Sequence, residues 1–436
     1  MLRNPYDKPI LAFAIPALGT LATDPLVSLI DTAFVGRLGT TPLAALGVNA
    51  GIFSMAFLVF NFLAYGTTPL VASAVGQDRR AEAGRIVLAA LTLSVGLGLV
   101  AVAALHSLSR PIVHLMGATG PLGDVSLTYL SIRLWAAPAV LIITAGHGAF
   151  RGYGDAITPL RVTVALNLVN LVLDPLLIFT LDLGIAGAAW ATVIAQWTGA
   201  LAFLGLLLGT RRGALEIPLG WPRWADVRRL ETVGSILSVR TFALIFTMTT
   251  TTALATRMGD RTVAAHQVAS QLWLLFALLI DAFALTGQTL VAENVGAGKA
   301  QAARDISDRL LQWGLALGCL LTIALWAGGP LWVSLFGLSQ PVSAELLAVL
   351  PIVALMQPLN ALVFVWDGVF MGAKAFGYLA ATMVVSASVT LAGLVLAWQL
   401  DAGLVGIWLC MGVLIASRGA TQAARYFGPY SVLPSP

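Results

Sequence analysis

The sequence predicts an all-α membrane protein with twelve transmembrane helices in two pseudo-symmetric six-helix bundles. Of its 436 residues, 58% are hydrophobic and 10% are charged, whereas soluble domains carry about 25% charged residues. Apolar runs long enough to cross a bilayer recur along the whole chain. Motifs of the first half also return in the second half, which indicates two copies of one unit. The composition therefore excludes a soluble fold.

The apolar runs give the positions of the spans. Twelve spans are predicted, at 9–35, 44–75, 84–106, 125–150, 159–181, 185–209, 229–256, 264–295, 306–328, 343–370, 378–399 and 403–425. If the first segment is cytoplasmic, eighteen Lys and Arg fall in cytoplasmic segments, Arg3 and Arg418 among them, and four fall on the opposite side. Arg133 and Arg240 lie within spans. The positive-inside rule then predicts that both termini are cytoplasmic.

The same charge distribution bears on the partners. Basic residues that line one membrane face do not form a patch on a domain, so the expected partners are the lipid bilayer and a small substrate, without nucleic acid. The opening MLRNPYDKPI is short and polar, and we expect no cleavable signal peptide before the first span. Nothing in the sequence calls for assembly, and a monomer is expected.

The internal repeat predicts how the two halves are related. The motif RLG at 37–39 returns as RMG at 257–259, an offset of 220 positions, and Pro138 returns as Pro358. Because each half has an even number of spans, the two run in the same direction, with the pseudo-symmetry axis along the membrane normal. The predicted domains are an N-terminal lobe at 1–209, a cytoplasmic linker at 210–228 and a C-terminal lobe at 229–436.

The first span carries two acidic residues, Asp24 and Asp31, among apolar residues. Seven residues are about two helical turns, so both carboxyl groups lie on one face of the helix. A carboxylate at membrane depth is costly unless it faces a partner or a wet cavity. Pro16 and Pro25 each remove a backbone donor from this helix, so it is the span most prone to bend.

A second polar face lies in the fifth span, where Asn170 precedes Asp174 by one turn. Thr192 in the sixth span can add a hydroxyl oxygen. A cluster of Asp31, Asn170, Asp174 and Thr192 would offer only oxygen ligands, which suit H⁺ or Na⁺ and not a soft metal. The alternative is that these aspartates only satisfy neighbouring helices.

The C-terminal half has its own acidic residues within spans, Asp281 and Asp367. They are a candidate second ion site. The alternative is that Arg240, in the seventh span, pairs with one of them and that they have a structural role only.

Taken together, several motifs resemble one known family. They are Pro16, the stretch IDTAFVGRLG at 30–39, the turn RGYGD at 151–155 with Pro159, the stretch NLVLDP at 170–175, and WDG at 366–368. Over nearly the whole chain the sequence resembles the multidrug and toxic compound extrusion (MATE) family, in the branch named for the DNA-damage-inducible protein F.

The resemblance implies the export of organic, cationic or amphipathic compounds in exchange for H⁺ or Na⁺, without a cofactor. The family's ion-coupling residues fall on Asp31, Asn170, Asp174 and Thr192. Its helix-bending proline falls on Pro16, which is the predicted conformational hinge. Some relatives have a tyrosine where this chain has Val27, and Asp24 lies outside the family pattern, so its role is open.

The expected function is that of an antiporter of the inner membrane, and two other functions are alternatives to it. The motif GYGD at 152–155 matches a pattern of intramembrane aspartyl proteases, but such an enzyme needs two carboxylates that share a proton at membrane depth. Asp155 lies in a charged turn instead, and no enzyme activity is expected. A flippase for lipid-linked oligosaccharides of the same superfamily is a closer alternative. Its anionic cargo would call for more Arg or Lys within the spans.

Overall fold

The computed structural model describes residues 4–433, without the side chains of Leu58 and Val59. Arg3, which entered the charge count, and the outer ends of the two predicted lobes lie outside the described residues. Within the described range the regular structure is helical, without strands. This confirms the all-α fold class.

The N-terminal half contains nine α-helices, joined by short turns. They are α1 (Asp7–Gly36), α2 (Thr40–Leu58), α3 (Phe62–Gly76), α4 (Arg80–Ser107), α5 (Ser109–Leu115), α6 (Gly120–Arg133), α7 (Ala137–Gly152), α8 (Ile157–Pro175) and α9 (Gly184–Leu204). The 3₁₀ turns Val59–Asn61 and Leu134–Ala136 join α2 to α3 and α6 to α7, and the π-helical turns Leu176–Thr180 and Gly205–Thr210 extend α8 and α9.

The C-terminal half contains eight α-helices in the described range. They are α10 (Trp224–Met258), α11 (Asp260–Gly296), α12 (Ala300–Ala327), α13 (Gly329–Leu335), α14 (Gln340–Leu355), α15 (Gln357–Gly372), α16 (Phe376–Gln399) and α17 (Gly403–Phe427). Within the predicted linker, α10 already begins at Trp224.

The helices reproduce the predicted set of spans. Eleven helical segments of the described chain are long and apolar enough to cross a membrane, and α14 with α15, bent by 49° at their break, make a twelfth when the pair is counted as one span. The bend lies at Met356, just before Pro358 in the first turn of α15. Proline cannot donate the backbone hydrogen bond that would continue α14, which explains the break.

The repeat predicted from the sequence is present in the helices. Equivalent helices start 220 positions apart, as α4 and α12 do, and α7 and α15. A Cβ atom on Gly98 would lie 2.4 Å from the Cα atom of Pro138, and one on Gly318 would lie 2.7 Å from that of Pro358. In both halves a glycine therefore permits the same close approach of two helices.

Contacts divide the chain into two units, which do not coincide with the two halves of the sequence. The C-unit comprises the described residues up to Leu18 together with those from Ser235 onward, and the N-unit comprises Gly19–Gly234. The first turns of α1 thus pack with the C-terminal half, and the first turns of α10 pack with the N-terminal half. The lobe and linker boundaries drawn from the sequence stay a prediction.

Candidate functional site

In the N-unit, Asp31 of α1 and Asp174 of α8 come together. Their carboxyl groups are close enough to share a hydrogen bond when one of them carries a proton. The uninterrupted α8 places Asn170 one turn before Asp174, and both side chains are buried, with 4% and 1% exposed. The predicted i, i+4 face of α8 therefore points into the protein and meets α1.

A small apolar core holds these helices in place. Val35 of α1 packs in one buried cluster with Tyr129 of α6, Ile178 of the π-helical turn and Ala188 of α9. The cluster joins the end of α1 to the elements that carry the other polar residues. Val35 lies one turn after Asp31, so the burial of this cluster helps to fix the position of Asp31.

Several polar atoms of the site are buried without a hydrogen-bond partner in the described part of the chain. They are Asp31 Oδ1, Asp174 Oδ2, Asn170 Nδ2 and Arg133 Nη1. A buried polar group without a partner costs about 1–3 kcal/mol, so such groups are rare in folded proteins. The two carboxyl oxygens can accept a proton or bind a cation, whereas the two N–H groups can only donate, for example to water.

Thr192 joins the site through Tyr129. Its hydroxyl donates to the carbonyl oxygen of Ala188 at 2.9 Å, which leaves its lone pairs available. The buried Tyr129 hydroxyl forms a hydrogen bond with the side chain of Thr192 and lies close enough to Asp31 and Asp174 to interact electrostatically with them. The structure therefore brings Asp31, Asp174 and Thr192 to one tyrosine that the sequence analysis missed, and Asn170 lies one turn before Asp174 on α8.

Arg133 is the second residue of the site that the sequence analysis did not assign. It lies one turn after Tyr129 in α6, interacts with the Tyr129 hydroxyl and feels the charge of Asp31. Its guanidinium carbon lies 4.8 Å from the ring centre of Phe53, which is within the range of a cation–π interaction. An arginine inside a span, four residues after a tyrosine, was the available signal.

Asp24, whose role was open, also meets α8. The amide of Asn167 donates to Asp24 Oδ1 at 2.8 Å and to the carbonyl oxygen of Thr163 at 3.0 Å. Two acidic residues of α1, seven positions apart, thus face a row of polar residues on α8. Asp24 and Asp31 on α1 are seven residues apart, as are Asn167 and Asp174 on α8. Because seven residues are about two helical turns, both acids can meet polar residues on the same helix.

In the C-unit, Asp367 of α15 is the centre of a buried ion-pair network. Its Oδ2 accepts from Arg240 of α10 at 2.6 Å and from Arg418 of α17, and its Oδ1 accepts from Gln422 at 2.7 Å. Both oxygens of Asp367 are therefore occupied. Asp281 of α11 lies close enough to Asp367 and its two arginines to interact electrostatically with them. No hydrogen bond or ion pair of its side chain is described within residues 4–433.

Arg418, which the charge count assigns to the cytoplasmic side, is part of this network. Its side chain is 3% exposed and pairs with Asp367. The pairing of Arg240 with Asp367 is the contact expected if these acids have a structural role. A second ion site at Asp281 and Asp367 stays a prediction.

Pro16 lies within α1, which is helical from Asp7 to Gly36. It precedes by two positions Leu18, the last residue of α1 that packs in the C-unit. The hinge at Pro16 stays a prediction.

Asp155 of the GYGD motif has a structural environment. Its Oδ1 accepts from the backbone N–H groups of Ile157 and Thr158 at 3.0 and 2.8 Å, at the start of α8. Its Oδ2 accepts from Arg211 at 2.8 Å. The carboxylate thus orders the turn between α7 and α8. Across the described residues, no group of three or more His, Cys, Asp or Glu could hold a metal ion.

Comparisons with known proteins agree with this architecture. The MatE family profile matches residues 16–176 and 237–416. The chain is 35% identical to "Protein DETOXIFICATION 44, chloroplastic" of Arabidopsis thaliana, over 97% of this chain and 83% of that protein. It is 30% identical to "DNA damage-inducible protein F" of Escherichia coli (strain K12), over 96% of this chain and 91% of that protein.

Solved structures share the fold. An outward-facing multidrug resistance MATE family transporter matches with a TM-score of 0.88 at 22% identity, over 96% of this chain and 94% of that chain. A MOP superfamily transporter from Pyrococcus furiosus Vc1 (DSM3638) matches with a TM-score of 0.87 at 21% identity, over 97% and 95%. The resemblance to this family is thereby confirmed. The chain belongs to the MatE family, whose members are membrane transporters and not enzymes.

Proposed function

We propose that the chain is a secondary active antiporter that exports organic, cationic or amphipathic compounds in exchange for H⁺ or Na⁺. The observation that carries the proposal is the pair of carboxyl groups at Asp31 and Asp174, each with a buried oxygen lacking a partner in the described chain. Acids at membrane depth are typical of ion pathways and proton relays. No cofactor is needed for this exchange.

Binding of the coupling ion at this pair would remove negative charge from the site. If the ion binds one conformation better than another, its binding shifts the equilibrium between them, and cargo affinity changes by the reciprocal amount. Asn170 and Thr192 would complete the ion's surroundings. A bend of α1 at Pro16 would transmit the change to the bound cargo.

The charges of the N-unit favour positively charged cargo. Two aspartates of α1, Asp24 and Asp31, meet α8, which carries Asp174, and one arginine, Arg133, lies within electrostatic reach of Asp31. In the C-unit, Asp367 pairs with two arginines. With Asp281 included, that network has two acids and two arginines, so it has no excess of negative charge.

The proposed location is the cell inner membrane, with both termini cytoplasmic and the chain acting as a monomer.

Efflux from proteoliposomes tests the proposal. A cationic dye is loaded, and a pH gradient and a Na⁺ gradient are imposed in separate experiments. We expect one of the gradients to drive efflux, and Asp31→Asn to abolish it. Asp124→Asn, which removes an exposed acid from α6 of the same unit, is the matched control and should behave like the wild type. Absence of efflux under both gradients would overturn the antiporter proposal.

A further inference from the structure

The loop that leads to α10 is fastened to the N-unit along its first part. The Tyr153 hydroxyl donates to the carbonyl oxygen of Leu215 at 2.7 Å, and Arg212 Nε donates to that of Ile217 at 3.1 Å. The side chain of Ile217 is buried. Up to this residue the loop is therefore a fixed part of the N-unit.

The second part of the loop turns large apolar side chains away from the protein. Leu219 is 66% exposed, Trp221 is 91% exposed, and Trp224, the first residue of α10, is 69% exposed. Gly220 has a φ of 113°, which glycine adopts without strain. Three large apolar side chains lie exposed within six consecutive residues, and such a surface is typical of a site that contacts a protein or a membrane.

The same end of the N-unit has an excess of positive charge. Ten arginines and six acidic residues fall in three ranges, 77–85, 151–161 and 211–231. Ion pairs bring the ranges together, since Arg211 lies 2.8 Å from Asp155 and Arg229 lies 3.0 Å from Glu82. The remaining positive charge favours a negatively charged partner.

Two of these arginines lie at the exposed tryptophans. Arg223 directly precedes Trp224, and Arg228 follows it by one turn of α10. Both arginines are exposed, and no ion pair of either is described within residues 4–433. Together, Leu219, Trp221, Arg223, Trp224 and Arg228 form the Trp–Arg patch.

Helix α10 connects the Trp–Arg patch to the membrane. It has 35 residues, whereas about 20 are enough to cross the hydrocarbon core. Its charged residues before Arg240 all lie in its first turns, up to Glu231, so these turns extend beyond the core. Arg228 and Val239 are 11 positions apart, about three turns, and share an exposed face that continues to Phe242. The patch is thus continuous with an apolar face suited to lipid, at the level of the headgroups.

We propose that the Trp–Arg patch binds the anionic headgroups of phospholipids in the adjoining leaflet. Tryptophan rings are enriched at the headgroup level of a bilayer, and an arginine near an anionic membrane surface is attracted to it. The guanidinium groups of Arg223 and Arg228 would bind the headgroup phosphates through paired N–H donors. In the proposed orientation this is the cytoplasmic leaflet, whose surface is negative. The inference goes beyond the proposed function, because it depends on neither the coupling ion nor the cargo.

The first test measures binding of phosphatidylglycerol and phosphatidylcholine to the purified full-length protein in detergent, by native mass spectrometry at increasing lipid concentrations. We expect the wild type to bind phosphatidylglycerol more tightly. The double variant Arg223→Gln with Arg228→Gln should bind phosphatidylglycerol at least about tenfold more weakly and phosphatidylcholine equally well. Arg110→Gln removes an exposed arginine of α5, at the far end of α4, and is the matched control. No loss in the double variant, or an equal loss for both lipids, would overturn the inference.

The second test locates the ring of Trp221 in vesicles of phosphatidylglycerol. The difference in fluorescence between the wild type and Trp221→Phe isolates the emission of this ring. We expect it to be quenched by a nitroxide on the lipid headgroup and shielded from acrylamide, a quencher dissolved in the water. A ring that acrylamide quenches fully and the nitroxide does not would refute the membrane contact, even if the arginine variants fail to fold.

The size of the detergent-solubilised protein tests the other occupant of the patch, a second copy of the chain. We expect Trp221→Ala to leave the size unchanged. A wild-type dimer that Trp221→Ala converts to a monomer would assign the patch to the second copy and overturn the lipid inference. None of these measurements involves efflux, so their outcome is separate from that of the antiporter proposal.

Discussion

Asp7 and Arg309, 302 positions apart in the chain, form a bidentate ion pair. Arg309 Nε lies 2.6 Å from Asp7 Oδ1, and Nη2 lies 2.9 Å from Oδ2. Trp313, one turn further along α12, donates its indole N–H to Asp7 Oδ1 at 2.8 Å. The aspartate is 4% exposed. The first turn of α1 is therefore anchored to α12 inside the C-unit.

The anchor predicts the effect of Asp7→Asn. An amide cannot accept two charge-assisted hydrogen bonds from the guanidinium, and it leaves Arg309 without its carboxylate. We expect a lower midpoint of thermal unfolding in detergent for Asp7→Asn. Asp260→Asn, in the first turn of α11, removes an exposed acid from a comparable helix position. It is the control for helix-dipole effects, and equal midpoints for the two variants would contradict the anchor.

The start of α10 has a weaker anchor in the N-unit. Arg229 lies 3.0 Å from Glu82, and Asp226 lies 3.6 Å from Arg85, so two residues of α10 pair with α4. The side chain of Arg229 is 41% exposed, and exposed ion pairs contribute about 0–1 kcal/mol. Glu82→Gln should consequently lower the unfolding midpoint less than Asp7→Asn does.

The carboxyl pair predicts non-additive losses of transport. Asp31→Asn and Asp174→Asn should each abolish gradient-driven efflux, while the variants stay folded and inserted, because the amide keeps the shape but cannot titrate. If the two residues share one ion, the double variant should lose no more than either single variant. The small residual efflux rates of the two single variants and the double variant, each compared with the wild type, give the coupling between the two residues. Independent, additive losses would show that the two acids act separately.

The network around Asp367 predicts a charge-rescue experiment. Arg418→Gln leaves the two acids of the network, Asp367 and Asp281, with Arg240 alone, and it should destabilise the protein by about 3 kcal/mol. Asp367→Asn combined with Arg418→Gln leaves one acid, Asp281, with one arginine, Arg240, which restores the charge balance and should recover part of that loss. Unfolding in detergent gives both values. A double variant that is less stable than Arg418→Gln would contradict the mutual neutralisation of these residues.

The hinge hypothesis predicts a specific phenotype for Pro16→Ala. Alanine adds a backbone donor to α1 and removes the tendency of the helix to bend. Binding of cargo and of the coupling ion should persist, while cargo efflux slows. Pro25→Ala makes the same change at an exposed position of the same helix and should have a smaller effect. An unchanged efflux rate in Pro16→Ala would refute the hinge.

The turn at Asp155 predicts a dependence of stability on pH. Partial burial raises the pKa of this carboxyl group, but hydrogen bonds from Thr158 and Arg211 outweigh it, so the pKa lies below its ordinary value of 3.8. A lowered pKa stabilises the fold above the unfolded-state pKa, and this contribution is lost as the pH falls through the folded-state pKa. Asp155→Asn should therefore be less stable than the wild type at neutral pH.

The difference between Asp155→Asn and the wild type should shrink as the pH falls below about 4. Unfolding curves in detergent at several pH values measure it. A difference that is constant over this range would mean that the charge of Asp155 does not stabilise the turn.

The sequence by itself determined the features that depend on neighbouring residues along the chain. A span is recognised from the length of an apolar run, and a repeat from an offset of 220 positions that returns in the starts of α4 and α12. The shared face of Asn170 and Asp174 follows from the helical period alone. These properties are local, so they survive whatever packing the helices adopt.

Tertiary structure decided which side chains meet across helices. The positions of Tyr129 and Arg133 near Asp31 depend on how α6 packs against α1 and α9, which no periodicity specifies. The pairing of Arg418 of α17 with Asp367 of α15 is likewise a contact that the sequence did not specify. A charge is tolerated at membrane depth when a partner from another helix neutralises it, and that partner is chosen by packing.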